Sequence, residues 1–203
     1  MRRRLQGASM TEAEWAAATE PGVMLAFLRD RTTYRKLRMF AVASYYLDPN
    51  LLDEANRYRV EVAARYADGL ATESELQANW SFGSRGRWTL PELPFHWALM
   101  VSGCFVGNEE SCDRVEDAAL SHILRDIIGN PFRSVVFDPS WHTDTARSLA
   151  EAAYEDRAWD RLPILADALE DAGCEDEAVL NHLRGPGPHC RGCWVVDLVL
   201  GKS

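Results

Sequence analysis

Apolar side chains recur at helical spacing along most of the chain, and the runs open at recognisable start signals. Thr11-Glu12-Ala13-Glu14 is a capping box: the threonine hydroxyl serves a free backbone amide and the glutamate reaches back. The helix it opens carries Trp15 and Ala18 on one side, and Pro21-Gly22 is expected to break it before a short helix from Val23 to Leu28. Leu37, Phe40, Ala41 and Ser44 follow the i, i+3, i+4, i+7 rule, with Arg35, Lys36 and Arg38 assigned to the opposite face. Asp48-Pro49 places an acceptor at a cap and a proline in the first turn, which predicts a helix with the face Leu51, Ala55, Tyr58, Val62 and Tyr66. Thr72-Glu73-Ser74-Glu75 repeats the capping box.

From Ser81 to Pro94 the pattern changes. Gly83, Gly86, Pro91 and Pro94 forbid a regular helix, while Trp80, Phe82 and Trp88 favour an ordered loop packed on the body. Phe95 to Val106 is compatible with a buried helix or strand, and Gly103 weakens either. Val115 to Ile128 reads as a helix ended by Gly129-Asn130-Pro131. Val135-Val136-Phe137 is a possible strand. Asp138-Pro139 is expected to open a helix to about Glu155, and Asp160 to cap another with Leu162, Leu165, Ala166 and Leu169 on one face. Gly173 sits where a left-handed cap belongs, and Glu175, Asp176 and Glu177 load the start of a helix that stops at Arg184-Gly185-Pro186. Trp194 to Leu200 is a final apolar segment, helix favoured over strand.

These elements predict an all-α protein: a compact multi-helix bundle or helical-hairpin array with a loop-rich middle. Residues 1–9 read as a disordered leader, 10–128 as an N-terminal helical part and 129–203 as a C-terminal helical part, packed together as one globular unit. The chain has 203 residues, enough to bury a real core, and 47% are apolar, too many for a disordered protein. Its net charge of −9, from 31 acidic and 22 basic residues, repels phosphate backbones and disfavours broad nucleic-acid binding. Arg2-Arg3-Arg4 is basic, but no apolar stretch follows it as in a signal peptide, and no run approaches the roughly 20 apolar residues that span a bilayer. The five cysteines are an odd count in a chain of this size, so reduced thiols and a cytoplasmic location are expected.

Gly129-Asn130-Pro131-Phe132-Arg133, the string Asp160-Arg161-Leu162-Pro163-Ile164-Leu165-Ala166-Asp167-Ala168-Leu169-Glu170-Asp171-Ala172-Gly173-Cys174, and Arg184-Gly185-Pro186-Gly187-Pro188-His189 with Arg191-Gly192-Cys193-Trp194-Val195-Val196-Asp197 resemble a family of uncharacterised bacterial proteins. Met10 to Trp15 and the Arg35-Lys36-Leu37-Arg38-Met39-Phe40 helix are similar to the same family's N-terminal part. The Ala166-to-Gly173 string is also similar to a helix end of the bacterial repeat-companion domain. Neither resemblance implies an activity. Where relatives often carry adjacent cysteines after the Arg-Lys-Leu-Arg motif, this chain reads Ala43-Ser44-Tyr45-Tyr46.

The candidate chemistry is thin. Cys190-Arg191-Gly192-Cys193 is a C-x-x-C beside His189, but structural zinc needs four ligands, and the spacing requires neither Cys174 nor His182 as the others. A thioredoxin-type reading lacks its strand-helix context. No metal or other cofactor is therefore expected. Arg184, His189 and Arg191 surround a Gly-Pro-Gly-Pro loop, which suits a phosphate or carboxylate. The other reading of that loop is a rigid turn whose arginines cap helix ends and pair with carboxylates. His96, His122, His142 and His182 show no ligand pairing in sequence, and no Ser-His-Asp order or G-x-S-x-G elbow is present. Gly201-Lys202-Ser203 mimics a Walker ending without its earlier glycine.

With no convergent catalytic groups and seven tryptophans, the expected function is a non-enzymatic helical interaction or scaffold protein with another protein as partner. Small-anion or nucleotide binding by the Arg184–Arg191 loop is the alternative. The loop itself is expected to be ordered and to end in a buried Trp194.

Overall fold

Ten α-helices and no strand are present among the described residues of the computed structural model, which are 9–47, 54–79 and 117–202. The helical expectations for Asp48 to Asp53, the aromatic loop, the Phe95–Val106 segment and the leader at 1–8 lie outside those residues. Among the described residues no helix is long and apolar enough to cross a membrane. The chain divides into two units, Met1–Leu124 and Arg125–Ser203. The division falls inside a helix, a few residues before the expected boundary.

In the first unit, α1 (Glu12–Ala17) opens with the predicted capping box: the Glu14 amide donates to Thr11 Oγ1, and the Thr11 amide donates to the Glu14 carboxylate. Pro21-Gly22 is not the break that the sequence suggested. Proline takes the first position of α2 (Pro21–Leu28), where its missing N–H costs nothing. The ring of Trp15 packs on Phe27 at 6.2 Å.

Helix α3 (Tyr34–Tyr45) buries Leu37, Phe40, Ala41 and Ser44 as the periodicity demands. Arg38 departs from its expected solvated face: it is buried, with its guanidinium 4.5 Å from the Tyr66 ring centre. A long aliphatic stem and a cation that stacks on an aromatic ring make that burial tolerable. Helix α4 (Glu54–Ala67) packs on α3 and on α5 (Glu73–Asn79). Its buried stripe is Val60, Val62, Ala63 and Ala64, together with Val42 and Leu76, whereas Tyr58 is 61% exposed. The smaller residues let the backbones approach closely, and the bulkier tyrosine faces out. Thr72 and Glu75 form the second capping box.

Helix α6 (Asp117–Ile128) leads into the second unit. Residues 133–138 run without regular structure, so Val135-Val136-Phe137 forms no strand, and Val136 is 82% exposed. Asp138 caps only a 3-10 turn, Pro139–Trp141. The helix expected there begins instead at Thr143, which caps α7 (Asp144–Asp156). Asp160 likewise sits in a 3-10 turn rather than at a cap, ahead of α8 (Leu162–Asp171).

Helix α8 ends at Gly173 (φ +88°), where the Cys174 amide donates to the Leu169 carbonyl at 2.9 Å and closes the left-handed cap. Asp176 caps α9 (Glu177–Arg184) through the Ala178 and Val179 amides. The last helix, α10 (Trp194–Leu200), ends on Gly201 with φ +64°, which gives that glycine a structural task. Ala146, Ala150 and Ala153 of α7 are fully buried and present a small-residue face. Helix α7 packs on α8 and α10, and α9 lies against α8 and touches α10. The core is completed by Leu162, Leu165, Ala166, Leu169, Val179, Leu183, Val195, Val196 and Val199. Trp194 is half-buried, less enclosed than the sequence suggested.

Candidate metal centre

Four side chains of the second unit converge where the end of α6, the end of α9 and the start of α10 meet. Asp126 stands in the last turn of α6, its side chain 3% exposed. A carboxylate there faces the negative end of the helix dipole and is also cut off from water, so it needs cationic or proton-donating partners. His182 supplies one from the last turn of α9. The loop after α9 supplies the next. Gly187 has φ +84°, and a Cβ there would lie 2.9 Å from the His189 amide nitrogen, so only glycine lets the chain fold His189 back. Cys193, fully buried, is the residue before α10, and its amide donates to the Cys190 carbonyl (3.0 Å) to close the turn between them.

The geometry is tight. His189 Nδ1 and His182 Nε2 lie 3.0 and 3.2 Å from Asp126 Oδ1, and His182 Nε2 lies 3.1 Å from Cys193 Sγ. One donor atom from each of the four residues falls within 4.8 Å of all the others. The outer atoms are tied down. Asp126 Oδ2 accepts the Cys190 amide (2.9 Å) and the Cys190 thiol (3.1 Å), which leaves Oδ1 turned to the centre. His189 Nε2 lies 3.3 Å from the Gly185 carbonyl, an acceptor for the Nε2 proton that leaves Nδ1 the atom to face a metal once its own proton is lost.

The electrostatics follow from that crowding. Burial works to raise the Asp126 carboxyl, but the hydrogen bonds with His182 and His189, the charge of His182 and the Cys190 thiol hold it at about 2. Burial works to lower the His189 imidazole, and Asp126 outweighs it, so the net shift is upward. Burial pushes the Cys193 thiol well up, and Asp126 and Asp197 add to that push against the opposing effect of the Val195 and Val196 amides at the start of α10. A divalent cation at the centre would invert this balance, because it would favour the thiolate and the neutral imidazoles together.

Of the residues singled out in the loop, His189 alone belongs to this cluster. Arg184 Nη2 lies 2.7 Å from Asp167 Oδ1 and 2.6 Å from Glu170 Oε2, both on α8. Arg191 turns to the end of α7, donating to the Tyr154 carbonyl (3.0 Å) and pairing with Glu155 (3.3 Å). The two guanidinium groups therefore serve different helices. Cys174 is buried at the end of α8 and is not a member of the four-residue set. Sequence reasoning missed Asp126 altogether, although an acid in the last turn of an amphipathic helix is a usable signal. It left His182 as an unforced option for Cys193.

No family model, curated protein or solved structure matches this chain.

Proposed function

We propose that the second unit is a metal-stapled helical module that holds one zinc-class divalent cation through Asp126, His182, His189 and Cys193, and that its role is structural. The supporting observation is the convergence of those four donor atoms within 4.8 Å. Zinc bonds of about 2.0–2.3 Å in a tetrahedron imply donor-to-donor edges of roughly 3.3–3.6 Å, and the 3.0, 3.1 and 3.2 Å separations are a few tenths of an ångström shorter, so the donors would spread slightly around an ion. A carboxylate, two imidazoles and a thiolate form a borderline donor set, suited to zinc or cobalt rather than magnesium or calcium.

Four protein ligands close the coordination sphere and leave no open position for a reacting water, which favours a structural over a hydrolytic metal. A metal that fastens the loop to three helices fits a non-enzymatic interaction or scaffold protein. Phe132 and Val136, exposed on the irregular segment after α6, offer apolar surface to a protein partner. A site with an unoxidised thiol fits a reducing compartment.

The test is elemental analysis and zinc titration of the intact protein beside a His182→Ala, Cys193→Ser variant. One zinc per chain, lost in the variant, is the expected result. Equal binding, or none in either protein, would leave the cluster as an Asp-His-His hydrogen-bond network and sink the proposal.

A further inference from the structure

Beside the four convergent donors lies a fifth potential ligand, Cys190, in contact with one of them. Cys190 and Cys193 form a C-x-x-C, a spacing that carries two thiolates to one tetrahedral metal in structural zinc sites. The turn between them is closed by the Cys193 amide on the Cys190 carbonyl at 3.0 Å, which holds the two Cα atoms within about 7 Å. Yet only Cys193 turns its sulfur to the centre. Cys190 is half-exposed, and its sulfur lies 3.1 Å from Asp126 Oδ2, the oxygen that faces away from the other donors. Cys190 is thus separated from the metal position by the carboxylate it contacts.

Resting on the metal reading above, we infer that Cys190 is a reserve ligand that replaces Asp126 when the cation is soft, so that the centre has two donor sets. With a borderline ion such as zinc or cobalt, the set is Asp126, His182, His189 and Cys193. With a thiophilic ion such as cadmium, it becomes His182, His189, Cys190 and Cys193. The physical reason is geometry set against donor softness: Asp126 Oδ1 already faces the centre and a borderline ion keeps it, whereas a thiophilic ion gains enough from a second thiolate to displace it.

The exchange balances. The Cys190 S–H bond breaks and a sulfur–metal bond forms, while the Asp126 Oδ1–metal bond breaks. The released proton passes to solvent, which the half-exposed Cys190 meets, and nothing is oxidised or reduced. The hydrogen bond from the Cys190 amide to Asp126 Oδ2 keeps the displaced carboxylate in place.

The experiment titrates the full chain, wild type and Cys190→Ser, with cobalt and with cadmium, and counts thiolates from sulfur-to-metal charge-transfer absorbance. Cobalt is expected to show one thiolate in both proteins, which also proves that the variant folds. Cadmium is expected to show two in the wild type and one in Cys190→Ser, so its absorbance falls by about half. Asp126→Asn is expected to weaken cobalt by at least tenfold and cadmium by less, since outer groups alone are worth about 10–100-fold. One thiolate for cadmium in both proteins, or two for cobalt in the wild type, overturns the two-set inference while leaving the metal centre standing. Failure of both metals to bind overturns the metal reading and this inference with it.

Discussion

Gly129 and Trp194 are fitted to each other: a Cβ on Gly129 would lie 3.0 Å from Cγ of the Trp194 indole. Gly129 ends α6 with φ +73°, its amide bound to the Arg125 carbonyl at 2.9 Å. The same indole lies 5.3 Å from the His182 ring, so the helix end that carries Asp126 and the helix end that carries His182 are registered through one side chain. The missing Cβ is part of how the centre is assembled.

Gly129→Ala should therefore cost more than Gly173→Ala. Both positions are left-handed, and a side chain there costs about 1–2 kcal/mol. At Gly173 a Cβ meets nothing within 4 Å, so the backbone term stands alone. At Gly129 the indole must also move, which adds roughly 1–3 kcal/mol of overpacking. Urea denaturation of the two variants checks the order. Equal losses would mean that Trp194 yields freely.

Zinc should stabilise the wild-type protein. If it binds the folded protein only, a free concentration of about 100 times Kd adds about 2.7 kcal/mol and raises the melting temperature. Chelation should reverse the shift, and Cys193→Ser should remove it. The stabilisation should also fade toward acid, because protons compete for both imidazoles and the thiolate. Thermal melts with zinc and with chelator, at several pH values, measure all three effects.

The two arginines should behave differently. Arg184 is an exposed pair with Asp167 and Glu170, screened by solvent, and Arg184→Ala should leave stability nearly unchanged. Arg191 is mostly buried, donates to the Tyr154 carbonyl and lies 5.5 Å over the Tyr154 ring. Arg191→Ala should cost about 1.5–3 kcal/mol, the range for hydrogen bonds to charged groups. Chemical denaturation separates the two, and equal losses would contradict the assignment of Arg191 to the end of α7.

Acid should loosen helix starts before it melts the core. Glu14 and Glu75 are held below the usual glutamate range by hydrogen bonds from the Thr11 and Thr72 amides, and Asp138 is lowered by the Ser140 amide. A depressed folded pKa means that the stabilisation is complete above the unfolded value near 4–4.5 and disappears as pH falls through the folded value. Far-UV circular dichroism should show partial helix loss in that window. Thr11→Val with Thr72→Val, which removes both hydroxyl caps, should shrink it.

The sequence determined by itself what depends on near neighbours. The capping boxes at Thr11 and Thr72, the buried stripe of α8 and the left-handed turn at Gly173 all rest on residues within about five positions of one another. Errors in the local reading have local causes too. Asp138 and Asp160 look like helix caps, yet each belongs to a short 3-10 turn placed before the true helix start. Arg38 looks solvated until α4 brings Tyr66 over it.

Tertiary structure alone decided the candidate centre. Asp126 is 63 positions from His189, and no periodicity or spacing rule relates them. The sequence offered Cys193 and His189 as parts of an incomplete set. The packing of α7 on α8 and α10 and of α9 on α8 fixes where helix ends fall, and the meeting of α6, α9 and α10 ends supplies the remaining donors. The reason is physical: backbone preference and side-chain periodicity act over a few residues, whereas four ligands must meet in space, and only the packing of distant helices brings them there.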